Sequence, residues 1–230
     1  MKAIVIIPCL NEEKTIKKVI DKLRKVSKNS KINFKIIGVD DASNDNTLTI
    51  LKKNADVVVQ LKKRVPLVEV IKTGLKEALK HKADLLIHID ADEQYNAYQV
   101  LKLIEPISKK EADFVIGVRN VWKHKHMPFY KKIGNSFFTK LVSFLLDYNL
   151  KDAQSGFRVM KYDIIKHINL ISKHTYTQEE LIQVIKKGYK IKQIPINFNE
   201  RKYGDSRLIK NPFEYAFRVF FDIIKIFFKN

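Results

Sequence analysis

Residues 3–7 (AIVII) are an unbroken, β-branched apolar run, the pattern of a strand buried on both faces. From Thr15 to about Ser27 the apolar positions Ile16, Val19, Ile20 and Leu23 fall on one helical face. A second buried strand follows from Lys35 to Val39 and runs into Asp40-Asp41, after which Asp45, Asn46 and Thr47 open another helix. Val57 to Gln60 reads as a short third strand, Val68 to His81 as a helix, Asp84 to Ile89 as a fourth strand and Phe114 to Val118 as a fifth. This alternation predicts an α/β fold, a mostly parallel sheet with helices on both faces. The strands end in polar clusters at Pro8 to Glu12, Asp40 to Asp45, Asp90 to Gln94 and from Arg119 onward. In open α/β sheets the ligand crevice lies at the carboxyl ends of the strands, so these clusters are expected to converge.

Two later segments have another character. From Met127 to Leu150 a helical projection puts Lys131, Lys132, Asn135, Ser136, Thr139, Lys140 and Asp147 on one half, and Ile133, Phe137, Leu141, Phe144 and Leu145 on the other. From Pro212 to Asn230 five charges share a narrow arc and nearly everything else is apolar. No stretch reaches the roughly 18 uncharged apolar residues of a spanning helix, and the N-terminal run is too short for a signal peptide. The expectation is one catalytic domain over residues 1–211, with residues 212–230 as an amphipathic helix in the headgroup region of a membrane. Packing of that helix on the domain or in an oligomer is the competing reading.

Lys and Arg outnumber Asp and Glu by 44 to 25 in 230 residues, a formal charge of +19. Residues 119–140 and 186–210 together hold +12 of it, which calls for an anionic partner: nucleic acid, a phosphorylated small molecule or anionic lipid. With Cys9 as the only cysteine, a disulfide framework and a multi-thiolate zinc site are excluded.

In Asp90-Ala91-Asp92-Glu93-Gln94, three carboxylates and an amide directly follow a buried strand. Like charges gathered at low dielectric are relieved by a cation, and oxygen-only ligands favour Mg²⁺ or Mn²⁺ completed by substrate phosphates. Taken alone, the same stretch also reads as a polar loop closing a strand.

LNEEKTI after the first strand, VDDASNDNT after the second, DADEQ after the fourth and DAQSGFR at 152–158 together resemble the family-2 glycosyltransferases of GT-A fold. The resemblance is strongest to the dolichyl- and polyprenyl-phosphate sugar transferases. It implies a nucleotide-diphosphate sugar donor (GDP-mannose or UDP-hexose type), a polyprenyl or dolichyl phosphate acceptor and an inverting displacement. It places Pro8, Asn11 and Glu12 in the nucleotide-side loop, Asp40 and Asp41 at base and ribose, and Asp90 with Ala91 beside the diphosphate. Asp92, Gln94 and Asp90 form the metal group, and Arg119, Lys132, Ser136, Arg201 and Arg207 the seat of the acceptor phosphate. Lys132 stands where the family is expected to have Arg, Leu10 where it usually has an aromatic, and Asn46 where it usually has Gly. The implied location is the cytoplasmic face of a membrane, with an anionic surface and either a membrane protein or a second copy as partners.

The acceptor decides whether a base is needed. A sugar hydroxyl must lose a proton, whereas a phosphate with a second pKa of about 6 is already anionic. Glu179 and Glu180 in TYTQEEL are the candidates for a base if the acceptor is a glycan hydroxyl; otherwise they position Lys or Arg side chains. No nucleic-acid partner is expected, because aspartates at the strand ends would repel a phosphate backbone.

Overall fold

A computed structural model describes residues 1–125, 127–204 and 212–229. Its sheet runs in the order β3-β2-β1-β4-β6-β5-β7, built from β1 (Lys2–Cys9), β2 (Asn33–Asp40), β3 (Val57–Gln60), β4 (Leu85–His88), β5 (Phe114–Arg119), β6 (Arg158–Lys161) and β7 (Ile191–Ile196). The first four strands are mutually parallel where they pair, and β5 pairs parallel with β7. β6 is inserted between β4 and β5, antiparallel to both.

Strand β1 shows why the apolar runs form the centre of the sheet. Ile4 and Ile6 enter the core on one face, together with α3 (Leu67–Ala78), α5 (Phe129–Leu146), α6 (Tyr176–Lys186) and α7 (Pro212–Lys229). Ala3, Val5, Ile7 and Cys9 enter the opposite core, with α1 (Ile16–Asn29) and α4 (Val100–Ser108). Period-two alternation thus feeds two hydrophobic layers, and each fully buried Ile is worth about 1.5–3 kcal/mol. Gly74 on α3 permits this closeness, since a Cβ there would lie 2.6 Å from Ile6 Cγ2. The short helix α2 (Thr47–Asn54) connects β2 to β3.

The expected strands and the helices α1, α2 and α3 are present within a few residues of the predicted bounds. The structure adds α4, β6, α6 and β7, which have shorter or mixed apolar patterns. Helix α7 is fastened to the domain: Val219, Ile223 and Ile226 are buried in the α5/α6 layer. Asp222, one of the five charges on the narrow arc, turns inward to accept bonds from Ser172 Oγ (2.6 Å) and His174 Nδ1 (2.9 Å). On the side opposite its buried face, α7 exposes Phe217 (66%), Phe221 and Phe228 (80%). Among the described residues no helix is long and apolar enough to cross a membrane.

Candidate active site

The turns after β1, β2 and β4 each pass through a left-handed non-glycine residue, Asn11 (φ 53°), Ala42 (φ 54°) and Glu93 (φ 64°). Such conformations persist only where the surroundings fix them. Here the first two turns hold each other. Asn11 N–H donates to Ser43 Oγ (3.0 Å), Asn44 N–H to Asn11 Oδ1 (2.8 Å), Glu12 N–H to Thr47 Oγ1 (2.7 Å) and Asp41 N–H to the Cys9 carbonyl (2.8 Å). Pro8 lies in register with Val39 at the end of β1. A cleft of about 250 Å³ opens above these turns, lined by Asn11, Glu12, Lys14, Asn44, Asp45 and Tyr203 among others.

Asp40 is fully buried; its Oδ2 accepts from Ser43 N–H, and its Oδ1 has no hydrogen-bond partner among the described residues. Asp41 accepts from Val65 N–H (2.8 Å), and burial raises its pKa. After β4, burial and then the neighbouring Asp92 push the Asp90 carboxyl up to about 7. Burial also raises Asp92 and Glu12. Ala91 is buried between the two aspartates. Glu93, counted in the sequence among three clustered carboxylates, turns away and pairs with Lys22 of α1 (2.6 Å). The left-handed backbone at Glu93 accompanies that outward turn, so the cluster holds two carboxylates from this stretch and a third from Glu12.

Arg201 reaches this acidic group. Its Nη1 donates to Asp92 Oδ2 (2.9 Å) and its Nη2 to Glu12 Oε1. Gln94 Nε2 donates to the Asn199 carbonyl (3.2 Å), and Asn199 N–H to the Gln94 carbonyl (2.7 Å). Among the described residues no three His, Cys, Asp or Glu groups form a ready cage for a metal. The donor set is nonetheless hard, anionic and short of positive charge even with a guanidinium in it. It suits a divalent cation that takes part of its shell from a ligand's phosphates.

Arg119, at the end of β5, is clamped by Asp152 through Nε (2.7 Å) and Nη2 (3.0 Å), and Nη2 also donates to Asn135 Oδ1 of α5 (3.0 Å). Burial disfavours the Arg119 charge, but Asp152 outweighs it and raises the pKa well above the ordinary value. Lys132 and Ser136 share one face of α5 as expected and both meet Trp122, Lys132 Nζ through its carbonyl (3.3 Å) and Ser136 Oγ through its indole N–H (3.0 Å). The structure therefore brings Arg119, Lys132 and Ser136 to one side, whereas Arg201, expected with them, sits among the nucleotide-side carboxylates. Phe198, paired with Tyr95 in an isolated bridge, has its ring centroid 5.2 Å from the Arg119 guanidinium. Arg207 lies outside the described residues.

Glu179 and Glu180 do not face this cleft, and both are fully buried. Glu179 accepts from the backbone N–H groups of Ile171 and Ser172, and burial raises its pKa. Glu180 pairs with Arg158 Nη1 (3.1 Å) and lies 3.4 Å from His88 Nε2. Burial acts to raise the Glu180 carboxyl, but these two partners outweigh it and hold it below the usual range. Both carboxylates are enclosed and taken up by protein partners, the arrangement of positioning groups and not of a base open to a substrate hydroxyl.

Sequence reasoning missed Asp152, Asn135, Arg158 and Trp122. Asp152 and Arg158 bound the DAQSGFR segment, so the signal was present as a motif without a role. Arg158, fully buried, donates to the carbonyls of Ala153, Ser155 and Thr177 and thereby fixes the turn that carries Asp152.

The sequence pattern of Glycosyl transferase family 2 matches residues 4–168. An uncharacterised protein of Methanocaldococcus jannaschii is 34% identical over 209 residues, covering 88% of this chain and 84% of the relative. The UDP-N-acetylglucosamine–dolichyl-phosphate N-acetylglucosaminyltransferase of Methanococcus voltae is 30% identical over 224 residues, covering 88% and 87%. The crystal structure of glucosyl-3-phosphoglycerate synthase from Mycobacterium tuberculosis, in complex with Mn²⁺ and UDP-glucose, superposes with a TM-score of 0.78 over 98% of this chain and 78% of that one, at 16% identity. With the strand-end cleft, the mixed seven-strand sheet and a family match over most of its length, the chain belongs to glycosyl transferase family 2 and is a glycosyltransferase of GT-A fold.

Proposed function

We propose that the chain transfers a sugar from a nucleoside-diphosphate sugar to a polyprenyl phosphate at a membrane surface, with inversion at the anomeric carbon. The observation that carries this reading is the outer side of α5. Its inward side joins polar and apolar groups: Asn135 meets Arg119, Thr139 Oγ1 accepts from Ala153 N–H (3.1 Å) and Ser143 Oγ from Leu150 N–H (3.1 Å), while Phe138 and Val142 are buried and Leu141 and Leu145 pack against the core. Its outward side carries Ile133, Phe137 and Phe144 (83%). Exposed phenylalanines on the neighbouring α7 extend the same character. A helix with polar groups toward a cationic site and aromatics outward fits a lipid surface whose phosphate enters beside Arg119. The dolichyl-phosphate acceptor in the name of the Methanococcus relative points the same way.

In this reading Asp40, Asp41, Asn11 and Glu12 hold the nucleoside side, and Arg119, Lys132 and Ser136 bind and orient the acceptor phosphate. A Mg²⁺ or Mn²⁺ ion held by Asp92, with Asp90 and Gln94, would neutralise the leaving diphosphate. No general base is required, because the acceptor oxygen is already anionic. Burial of Glu179 and Glu180 favours this acceptor over a glycan hydroxyl.

The test is a panel of nucleotide sugars with Mg²⁺ or Mn²⁺ and a polyprenyl phosphate, read out as lipid-linked sugar. Asp92→Ala is expected to abolish transfer while leaving the fold intact. Transfer to free glycans but never to the lipid phosphate, or full activity of Asp92→Ala under chelation, would overturn the reading.

A further inference from the structure

Glu12 stands at the end of β1 and Asp92 beyond β4, yet one guanidinium spans both, and it comes from 109 residues after Asp92 and 189 after Glu12. The same short segment makes a second contact with the group: Asn199 occupies the Gln94 side-chain amide with its carbonyl. Two of the residues assigned to the divalent cation are thus engaged by Asn199 and Arg201, two residues of one short arm. All three partners of the ion pair are largely enclosed, with side-chain exposures of 21% for Arg201, 11% for Glu12 and 10% for Asp92. A guanidinium buried this far against two carboxylates is doing the electrostatic work of a cation.

We propose that Glu12 and Asp92 form a single cation seat, that Arg201 is its occupant in the metal-free enzyme, and that a divalent cation entering the seat expels the guanidinium. This rests on the reading above for the identity of the cation, and adds Glu12 to the residues that hold it. The arm is built for such an exchange. It is anchored at its start by the bridge between Phe198 and Tyr95 and by the Asn199 N–H bond to Gln94. Beyond Asn199, among the described residues, no backbone-to-backbone bond ties it to the domain; Arg201 Nε donates to the Tyr203 carbonyl within the arm (2.9 Å), and the Tyr203 ring lies beneath Lys14 and Lys18. The guanidinium can therefore leave by rotation beyond a fixed hinge. Phe198, at that hinge, already touches Arg119. A freed Arg201 stays within the arm that adjoins the acceptor side, so loading the cation releases positive charge toward the incoming phosphate.

The exchange makes an intramolecular cation compete with a metal ion, and competition is measured without substrate. Binding of Mn²⁺ alone is followed by loss of the free-ion EPR signal, with folding of each variant checked by circular dichroism. Arg201→Ala and Arg201→Gln are expected to bind Mn²⁺ about tenfold more tightly than the wild type, equivalent to about 1.4 kcal/mol of removed competition. Adding Glu12→Gln to Arg201→Gln is expected to cancel that gain. Unchanged or weaker Mn²⁺ binding in both Arg201 variants, or a gain indifferent to Glu12, overturns the proposal. If Mn²⁺ behaves as stated but no donor and lipid phosphate yield product, the seat stands and the acceptor reading fails.

Discussion

Asp152 grips Arg119 at three points: its Oδ2 accepts from Arg119 Nε at 2.7 Å and from the Arg119 backbone N–H at 3.1 Å, and its Oδ1 accepts from Nη2 at 3.0 Å. The carboxylate fixes both the fork and the strand end that carries it, leaving the guanidinium a single direction in which to face a ligand. Misplacement by about 1 Å is enough to cost roughly 10²-fold in rate. Asp152→Asn keeps the shape and removes the charge. It is expected to lower kcat/KM for the acceptor by about that factor while the KM for the sugar nucleotide changes little. Steady-state kinetics with each substrate varied in turn checks the split; equal damage to both would mean general disorder of the site.

Glu180 neutralises Arg158 in the core. Glu180→Ala leaves that guanidinium buried without its carboxylate and is expected to cost about 3–5 kcal/mol in urea unfolding. Glu180→Gln retains the shape and some of the bonding, and its turnover per folded molecule is expected to stay within a few-fold of wild type. Loss of a general base would instead remove about 10²–10⁴.

Gly156 lies against the strand-end carboxylate. A Cβ at this position would fall 3.2 Å from Asp90 Oδ2 and 3.1 Å from Tyr176 Oη, both tighter than ordinary contact. Its N–H is held by Tyr95 Oη (2.9 Å), so the backbone has little room to retreat. Gly156→Ala is expected to fold, with an unfolding midpoint near wild type, and to lose about tenfold or more in kcat as Asp90 is displaced. Thermal melts and initial rates on the same preparation separate the two effects.

Asp222 sets a pH dependence for the docking of α7. Burial acts to raise its pKa, but bonds from Ser172, His174 and the Lys173 N–H outweigh burial and lower it. A carboxyl depressed on folding stabilises the folded state above the ordinary carboxylate range, and that contribution is lost as pH falls through the folded-state pKa. Asp222→Asn is expected to cost about 1–2 kcal/mol at neutral pH and to flatten the acid limb of the stability curve. Chemical denaturation at neutral pH and near pH 3 checks it; a limb as steep as that of the wild type would contradict it.

The sheet was legible because its strands are unbroken β-branched runs, and the cleft because polar clusters follow them. What patterning could not carry was direction. The helical projection sorts α5 into a polar and an apolar half, yet the inward side cuts across both: Asn135, Thr139 and Ser143 face inward through partners 7 to 16 residues away, and Leu141 and Leu145 pack against the core. The same limit applies to α7, where Asp222 belongs to the charged arc by angle and to the interior by contact. Glu93 and Arg201 were misplaced for a related reason: a side chain's partner depends on backbone turns such as the left-handed one at Glu93, which leaves no trace in residue spacing.

The insertion of β6 between β4 and β5 acts as a ruler. Neighbouring strands lie about 4.8 Å apart, so β4, which Asp90 follows, and β5, which ends in Arg119, stand two such steps apart, about 10 Å. A sheet with β5 directly beside β4 would put the carboxylate side and the Arg119 side of the cleft on neighbouring strands and halve that spacing. Strand order thus sets how far apart the two sides of the site begin, before any side chain makes a choice.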